Sequence, residues 1–521
     1  MSKSLVAFDT DQIKDYVFGT ATLKEIRGAS ALLDQLNREE MRRIVGVPGE
    51  DVIYANGGAG LFVVEEDRAE DIIQAVQRVY REETITASIT GESVPLPQGR
   101  DVALDELKLI RSRLRAAKDG KSAPMLPLTH SLLHFCDSCG TQYATETEDG
   151  IRLCQSCAIK RYKDRQLKKE IDQWTVSQAD PDPDSPRLWE RLIGQLKQDG
   201  YPVQGHGRPD DFNDLGDTSH PRGYMALIYA DGDGMGKHID QITGLDEMKA
   251  FSNAVDQSVY QAVQEAIKEH LEPDNGQPWP FDILLLGGDD LVMVTRAQSA
   301  MDVANYIVRR FPELTEKEYG QRLALSASVV LAHVNFPIGP LMELAESGLK
   351  FAKREAARRR QVDETSDEGL INFLVVSSAN HLDFKAYYKQ TLKQKGKAEE
   401  YYQEAETIYR TRRPYTADEC ETLLKQIRKL RRIGIPRTKL EQLRAAVFKS
   451  RKQATIDAMM AILRLRKKEH REELFELVGS ETREKLRIPW VKEDEGEWTT
   501  PILDVVELFD FVRGNGKGGV S

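Results

Sequence analysis

Four residues near the middle of the chain have the types and spacing for phosphate chemistry. In ILLLGGDDLVMVT, Ile283 to Thr295, apolar runs flank Gly287, Gly288, Asp289 and Asp290. Two glycines at a hairpin turn let the backbone come close to a ligand, because neither carries a side chain. Upstream, YMALIYADGDGMGKHI ends an apolar strand at Asp231, and Gly232, Asp233 and Gly234 lead from it into a helix whose N–H groups suit phosphate. If the two strands are neighbours, Asp231, Asp289 and Asp290 meet. Bare, such a cluster repels itself and its pKa values rise. With Mg²⁺ (or Mn²⁺) and oxygen ligands at about 2.1 Å it becomes a polyphosphate site. Two such ions about 4 Å apart activate an attacking hydroxyl and hold the leaving oxygen of an in-line displacement. The plainer alternative is a polar turn, and the pairing of the two motifs in this order favours the metal site. Lys350 and Lys353 in LKFAK, on a later helix, are candidates to neutralise triphosphate, Lys353 ahead of Lys350; the alternative for both is a solvated helix face.

A second constellation is made of thiols. Cys136, Cys139, Cys154 and Cys157 form two C-x2-C pairs with fourteen residues between them. Four thiolates at that spacing suit tetrahedral, structural Zn²⁺, and a doubled pair argues against a redox C-x-x-C. The fifth cysteine, Cys420, stands alone and reads as a packed residue, so there is no disulfide framework. His206 and His220 have no evident partner.

The elements that must position these residues repeat. SLVAFDTDQIKDYVF opens with an apolar strand ending at Asp9 and Asp11, a helical pattern follows through Leu23, Ile26, Leu33 and Leu36, and IYANGGAGLFVV reads as a hairpin around Gly57 and Gly58. The strand ending at Asp231 is likewise followed by a helical pattern (Leu245, Met248, Phe251, Val255, Val259, Val263) and then by the Gly-Gly-Asp-Asp hairpin. Aligned on their glycines, one copy has Asp289 and Asp290 where the other has Ala59 and Gly60. This is an internal duplication of a strand-helix-hairpin-helix-strand unit, the ferredoxin-like plan. The fold class is therefore α+β: two ferredoxin-like palm domains with an inserted zinc ribbon and a helical C-terminal domain. The expected boundaries are palm 1 over 1–120, the zinc module over 121–175, a Pro/Asp/Gly-rich linker over 176–220, palm 2 over 221–380 and the helical domain over 381–521. The tail RGNGKGGVS is expected to be disordered.

Composition is that of a globular protein of 521 residues, 40% hydrophobic and 30% charged, with a net charge of −11. That balance argues against a polybasic membrane binder or nucleic-acid coat protein and leaves room for a local basic groove. No apolar run approaches the roughly 20 residues a membrane span needs, so a cytoplasmic protein without membrane contact is expected. The basic run IRKLRRIGIPRTKLEQLRAAVFKSRKQ is either a solvated helix face or a contact surface for RNA or a partner.

Over roughly residues 1–380 the chain resembles the large, polymerase-like subunit of type III CRISPR effector complexes. The likeness rests on YADGDGMG, LLLGGDDLVMV and LAESGLKFAK in one palm, on FDTDQIKDYVF and IRGASALLDQLN in the other, and on the four-cysteine module between them. The palm is also similar, more distantly, to GGDEF cyclases; here Asp290 replaces the Glu and Leu291 the Phe, which disfavours cyclic di-GMP synthesis. The resemblance implies that palm 2 joins ATP into cyclic oligoadenylates, with Mg²⁺ on Asp231, Asp289 and Asp290. It also implies that the palms pack together around the nucleotides, with Gly57 and Gly58 as the second wall. Guide or target RNA and other effector subunits are the partners it implies. Family members often begin with an HD nuclease domain; here Asp9 already belongs to palm 1 and no His-Asp dipeptide occurs, so no nuclease activity, and no DNA substrate, is expected. Two other functions remain open: a cyclic dinucleotide or mononucleotide synthase working outside such a complex, and a non-catalytic RNA-binding scaffold.

Overall fold

The computed structural model describes residues 2–20, 22–97, 104–121, 132–177, 179–362, 367–376, 383–395, 407–477, 488–493 and 497–513. The C-terminal tail expected to be disordered, from residue 514 on, and the boundary drawn at 380/381 lie outside them.

The duplication is visible as two sheets of one topology. Strands β1 (Lys3–Asp11), β2 (Val52–Asn56), β3 (Ala59–Glu65) and β4 (Ser88–Pro95) make an antiparallel sheet in the order β2-β3-β1-β4. A small hairpin, β5 (Glu146–Glu148) with β6 (Ile151–Leu153), belongs to the cysteine module. Strands β7 (Tyr224–Gly232), β8 (Phe281–Gly287), β9 (Asp290–Arg296), β10 (Leu325–His333) and β11 (Ile371–Val375) make the second sheet, in the order β11-β10-β7-β9-β8. The first four strands of each unit follow the ferredoxin-like order; β11 is an addition to palm 2, parallel to β10.

Palm 2's central strand β7 is buried along its length because helices cover both faces. Alternation sends Ala226, Ile228 and Ala230 into the core that holds Val255 and Val259 of the Leu245–His270 helix. Met225, Leu227 and Tyr229 go to the other face, with Leu341, Leu344 and Ala345 of the Ile338–Val362 helix. In palm 1 the Leu23–Gln35 and Ala69–Thr84 helices cover one face, and the Leu104–Asp119 helix lies against β1 and β4.

The palms dock reciprocally. The Leu245–His270 helix of palm 2 lies on β2, and the Leu23–Gln35 helix of palm 1 lies on β8. The hairpin tips meet backbone to backbone: a Cβ built on Gly57 would stand 3.1 Å from the Gly287 carbonyl carbon, and one on Gly287 would stand 2.9 Å from the Gly57 α-carbon. Only glycine permits that approach.

The cysteine module is carried on palm 1 by the Gln155–Thr175 helix, which crosses the Leu23–Gln35 helix at Gly28, where a Cβ would collide with the Lys160 carbonyl oxygen. Arg161 pairs with Glu25 at 2.6 Å, and the Lys160 ammonium sits 4.0 Å from the Tyr16 ring centroid.

One sequence expectation is corrected and another extended. The segment 176–220 is not plain linker. It carries the Leu188–Gln198 and Phe212–Asp217 helices, and Trp189 stacks on Trp279 of palm 2 at 6.2 Å. Asp211 caps the second of these helices by accepting the Asn213 N–H. The C-terminal region is helical, as expected, and also carries a small mixed sheet in which Lys393–Lys395, Thr407–Tyr409, Glu497–Thr499 and Val491–Lys492 pair. Arg413, fully buried, bonds Asp504 at 2.7 Å, Glu507 at 2.6 Å and the Phe373 carbonyl at 2.8 Å, which fastens this region to β11. Cys420 is buried, as an ordinary packed residue is.

Candidate active site

The hairpin of palm 2 turns at Gly288 and Asp289, because Gly287 pairs with Asp290. The hairpin of palm 1 turns at Gly57 and Gly58, because Asn56 pairs with Ala59. The two hairpins are therefore one residue out of step with an alignment on their glycines. In space the counterparts of Asp289 and Asp290 are Gly58 and Ala59, not Ala59 and Gly60. The partner strand confirms the shift: Asp9 pairs with Ala59 on β1–β3, and Ala230 pairs with Leu291 on β7–β9, which sets Asp231 beside Asp290.

The three aspartates stand at neighbouring strand ends, Asp231 on β7 and Asp289 and Asp290 at the start of β9. Burial, the charge of Asp231 and that of Asp290 push the Asp289 carboxyl up to about 8, and a hydrogen bond with Asp231 adds to the rise. Burial and the Asp231 charge push Asp290 up to about 6, with Lys14 and Lys353 pulling the other way. Lys353 donates to Asp231 at 2.5 Å. A cation thus already sits against one carboxylate, and burial together with like charge favours protonation of the other two; an all-oxygen, mutually repelling donor set of this kind fits a hard divalent ion. The three carboxylates do not all converge as tightly as the four thiols described below. The Tyr229 hydroxyl lies 3.5 Å from Asp290.

The glycines of the DGDG turn have separate reasons. At Gly232 a Cβ would stand 2.8 Å from an Asp289 carboxylate oxygen, so its absence lets the two motifs close up. Gly234 has φ +70 and caps the short Met235–Ile239 helix. Asp233 does not face the cleft. It is buried, accepts from the Ser326 hydroxyl at 2.7 Å, and has Arg360 3.6 Å away. It locks the β7 end to β10 instead.

Between the palms lies a cavity of about 390 Å³. Palm 2 contributes Gly287, Gly288, Asp289 and Asp290 to its wall, and palm 1 contributes Gly57, Asn56, Tyr54 and Asp9. Gly58, expected on this wall, faces away: a Cβ there would collide with the Ile13 side chain. The Leu104–Asp119 helix closes one side with Arg111, Arg115 and Lys118. Lys118 pairs with Asp9 at 2.5 Å, the palm 1 counterpart of Lys353 on Asp231, and Arg111 reaches Asp240 of palm 2 at 2.8 Å.

Motif reading missed the brace behind the tip. The Gly288 N–H donates to Asp256 at 3.1 Å, and Arg38 of palm 1 bonds the same Asp256 oxygen at 3.1 Å and Asp34 at 2.8 Å. Asp256 lies on the Leu245–His270 helix, and its acidity amid an apolar helix face is the one sequence signal that marks it.

The four thiols of Cys136, Cys139, Cys154 and Cys157 all lie within 4.8 Å of one another, with Cys139 and Cys154 3.8 Å apart. A tetrahedral ion with Zn–S bonds near 2.3 Å needs sulfur atoms about 3.8 Å apart, so the cluster is compatible with a zinc ribbon.

The basic C-terminal run is partly neutralised. Arg428 pairs with Asp302, Lys429 with Glu473, Arg437 with Asp510, Arg444 with Glu441 and Lys449 with Asp457. Among the described residues no helix is long and apolar enough to cross a membrane.

Residues 224–362 match the family described as Cas10/Cmr2, second palm domain. No curated protein matches the chain. Among solved structures, Csm1 of T. onnurineus aligns over 98% of this chain and 70% of its own length, at 14% identity and a TM-score of 0.56. The Csm1–Csm4 cassette in complex with one ATP aligns over the same 98% and 70%, at 14% identity and a TM-score of 0.55. A Csm1–Csm4 cassette in complex with cA4 aligns over 72% of this chain at 14% identity and a TM-score of 0.46, and this chain covers 55% of it. At these identities the likeness is one of fold.

Proposed function

We propose that this Cas10-like chain, whose second palm matches the Cas10/Cmr2 family, is a Mg²⁺-dependent nucleotidyltransferase that joins ATP 3′–5′ into a cyclic oligoadenylate signal. Its setting would be a type III CRISPR or related antiviral system. The observation that carries the reading is the placement of Asp289 and Asp290 on the wall of a cavity that both palms line.

In the proposed reaction a 3′-hydroxyl of one ATP attacks the α-phosphorus of the next. The 3′-O–Pα bond forms, the Pα–O bond to the β-phosphate breaks, and pyrophosphate leaves with that electron pair while the hydroxyl proton passes to solvent. Asp231, Asp289 and Asp290 would hold Mg²⁺ (or Mn²⁺), which when bound supplies charge stabilisation to the attacking and leaving oxygens. The chain's own residues do the rest. Lys353 offsets the negative charge gathered at Asp231. Gly287 and Gly288 let nucleotide approach the backbone, with Gly288 held by Asp256. Gly57 closes the opposite wall, and Asn56, Tyr54 and Phe251 offer a polar edge and ring faces to a base.

ATP is the proposed substrate, and other effector subunits the proposed partners, on the strength of the family match and of Csm1 structures solved with Csm4 and with ATP. RNA contact is proposed more narrowly than the sequence suggested, because several cations of the basic C-terminal run, Arg428, Lys429, Arg437 and Arg444 among them, are ion-paired. The four cysteines would hold structural Zn²⁺.

The test is incubation of the pure protein with each NTP and Mg²⁺, with and without RNA, followed by mass spectrometry. Cyclic oligoadenylates from ATP are expected. A cyclic dinucleotide or mononucleotide would replace the product assignment, and absence of any turnover under every condition, the same as Asp289→Ala with Asp290→Ala, would leave a scaffold.

A further inference from the structure

Resting on the nucleotidyltransferase reading above, we propose that Lys14 of palm 1 binds the departing pyrophosphate of the reaction catalysed on palm 2. The inference starts from a lysine that no motif marks. Lys14 belongs to the short Ile13–Phe18 helix, which buries Tyr16, Val17 and Phe18 in palm 1 and packs on the Ile338–Val362 helix of palm 2. The docking carries its ammonium toward the acidic cluster. It stands 4.8 Å from the centroid of the Tyr229 ring, and the hydroxyl of that ring lies 3.5 Å from Asp290.

Three lysines rim this side of the site. Lys353 is bonded to Asp231, Lys350 pairs with Glu346 at 2.8 Å, and Lys14 lies 3.7 Å from the same Glu346 oxygen. Glu346, Lys350 and Lys353 share one face of a helix by their three-to-four spacing. Lys14 is the rim's only member from palm 1, and its side chain is 40% exposed, so a ligand can reach it.

The chemistry explains why a cation belongs here. As the Pα–O bond breaks, its electron pair goes to the β-phosphate oxygen, and negative charge grows on the pyrophosphate. A preset ammonium stabilises that charge more in the transition state than in bound ATP. Glu346 holds Lys14 and Lys350 in readiness, and a polyphosphate with more charge displaces it from both. Because Lys14 arrives only when the palms dock, leaving-group stabilisation depends on that docking.

The experiment compares wild type, Lys14→Gln, Lys14→Arg and Glu346→Gln for kcat, KM for ATP and inhibition by inorganic pyrophosphate, with thermal melting of each. Lys14→Gln is expected to lower kcat about 10- to 100-fold with KM changed less than about threefold, and to weaken pyrophosphate inhibition about tenfold. Lys14→Arg should restore most of both, and Glu346→Gln should tighten pyrophosphate inhibition. A Lys14→Gln protein with wild-type kcat and wild-type pyrophosphate inhibition overturns the proposal. So does a fall in kcat with inhibition unchanged, since that marks a structural role. A wild type that makes no pyrophosphate from any NTP instead defeats the nucleotidyltransferase reading beneath it.

Discussion

The two palms are one design with opposite turns. Both place an aspartate at the end of the central strand and a lysine from a covering helix against it: Asp9 with Lys118 in palm 1, Asp231 with Lys353 in palm 2. Both follow with a two-residue hairpin turn. In palm 1 the turn is Gly57-Gly58, both with positive φ, and Ala59 follows; in palm 2 it is Gly288-Asp289, and Asp290 follows. The scaffold and the first carboxylate are thus kept in both copies, and only the second and third carboxylates divide them. Chemistry at such a site needs the full set, whereas docking needs only the shape.

The largest break in this comparison should come from the palm 2 turn. Asp289→Ala with Asp290→Ala is expected to lower nucleotide turnover on the order of 10³-fold, the scale of losing preorganised charge stabilisation. Ala59→Ser at the matching place in palm 1 should change it less than about twofold, read by the same product assay. If both changes cost the same, the copies are not functionally distinct.

Next comes the contact of the tips. Gly57→Ala puts a Cβ about 3.1 Å from the Gly287 carbonyl at a φ of +57. The strain should cost roughly 1–2 kcal/mol of stability in thermal or urea unfolding. Turnover should fall more than tenfold, since displacements of about 1 Å at a reacting site can cost 10²-fold.

A pH series sharpens the electrostatic side. Asp289 and Asp290 rise from an ordinary value of 3.8 to about 8 and about 6. The folded state therefore binds more protons than the unfolded chain between those values, and the contribution of these groups to stability is lost as pH rises through them. A divalent ion binds the deprotonated form and opposes that loss. The rise in melting temperature on adding millimolar Mg²⁺ should be larger at pH 8 than at pH 5, and the double alanine variant should show no such trend.

The smallest effect distinguishes the two lysines. Lys353→Ala should lower turnover about tenfold or more, and Lys118→Ala only a few-fold, because Lys118 serves an aspartate with no acidic neighbours on its turn. Equal effects would make palm 1 an equal holder of phosphate.

Local chemistry made much of this legible in the sequence. Asp231, Asp289 and Asp290 could be paired because strand, glycine turn and carboxylate lie within a few residues, and the cysteines because their spacing is itself the signal. The duplication followed from two hairpins that resemble each other. What escaped was set by pairing between distant strands. The one-residue slip between the hairpins depends on which residues hydrogen-bond, so glycines aligned by eye put Gly60 where Ala59 stands. Asp233 was expected at the nucleotide beside Asp231, yet just past the end of β7 it is buried and accepts from the Ser326 hydroxyl. The ion pairs of Arg428, Lys429 and Arg437 in the basic C-terminal run were not legible because their carboxylates, Asp302, Glu473 and Asp510, lie far along the chain. Arg38 with Asp256, and Lys14 with Glu346, are pairs that only the docking of the palms creates.

The touching of Gly57 and Gly287 has a further consequence. That contact brings Ala59 onto the same cavity wall as Asp289 and Asp290, so a carboxylate in its place would add like charge to a site shielded from water, where such charges repel by several kcal/mol. The blank turn of palm 1 is then a condition of assembly rather than decay: two hairpins that close head to head leave room for a single acidic turn, and the uncharged partner is what lets the shell shut around it.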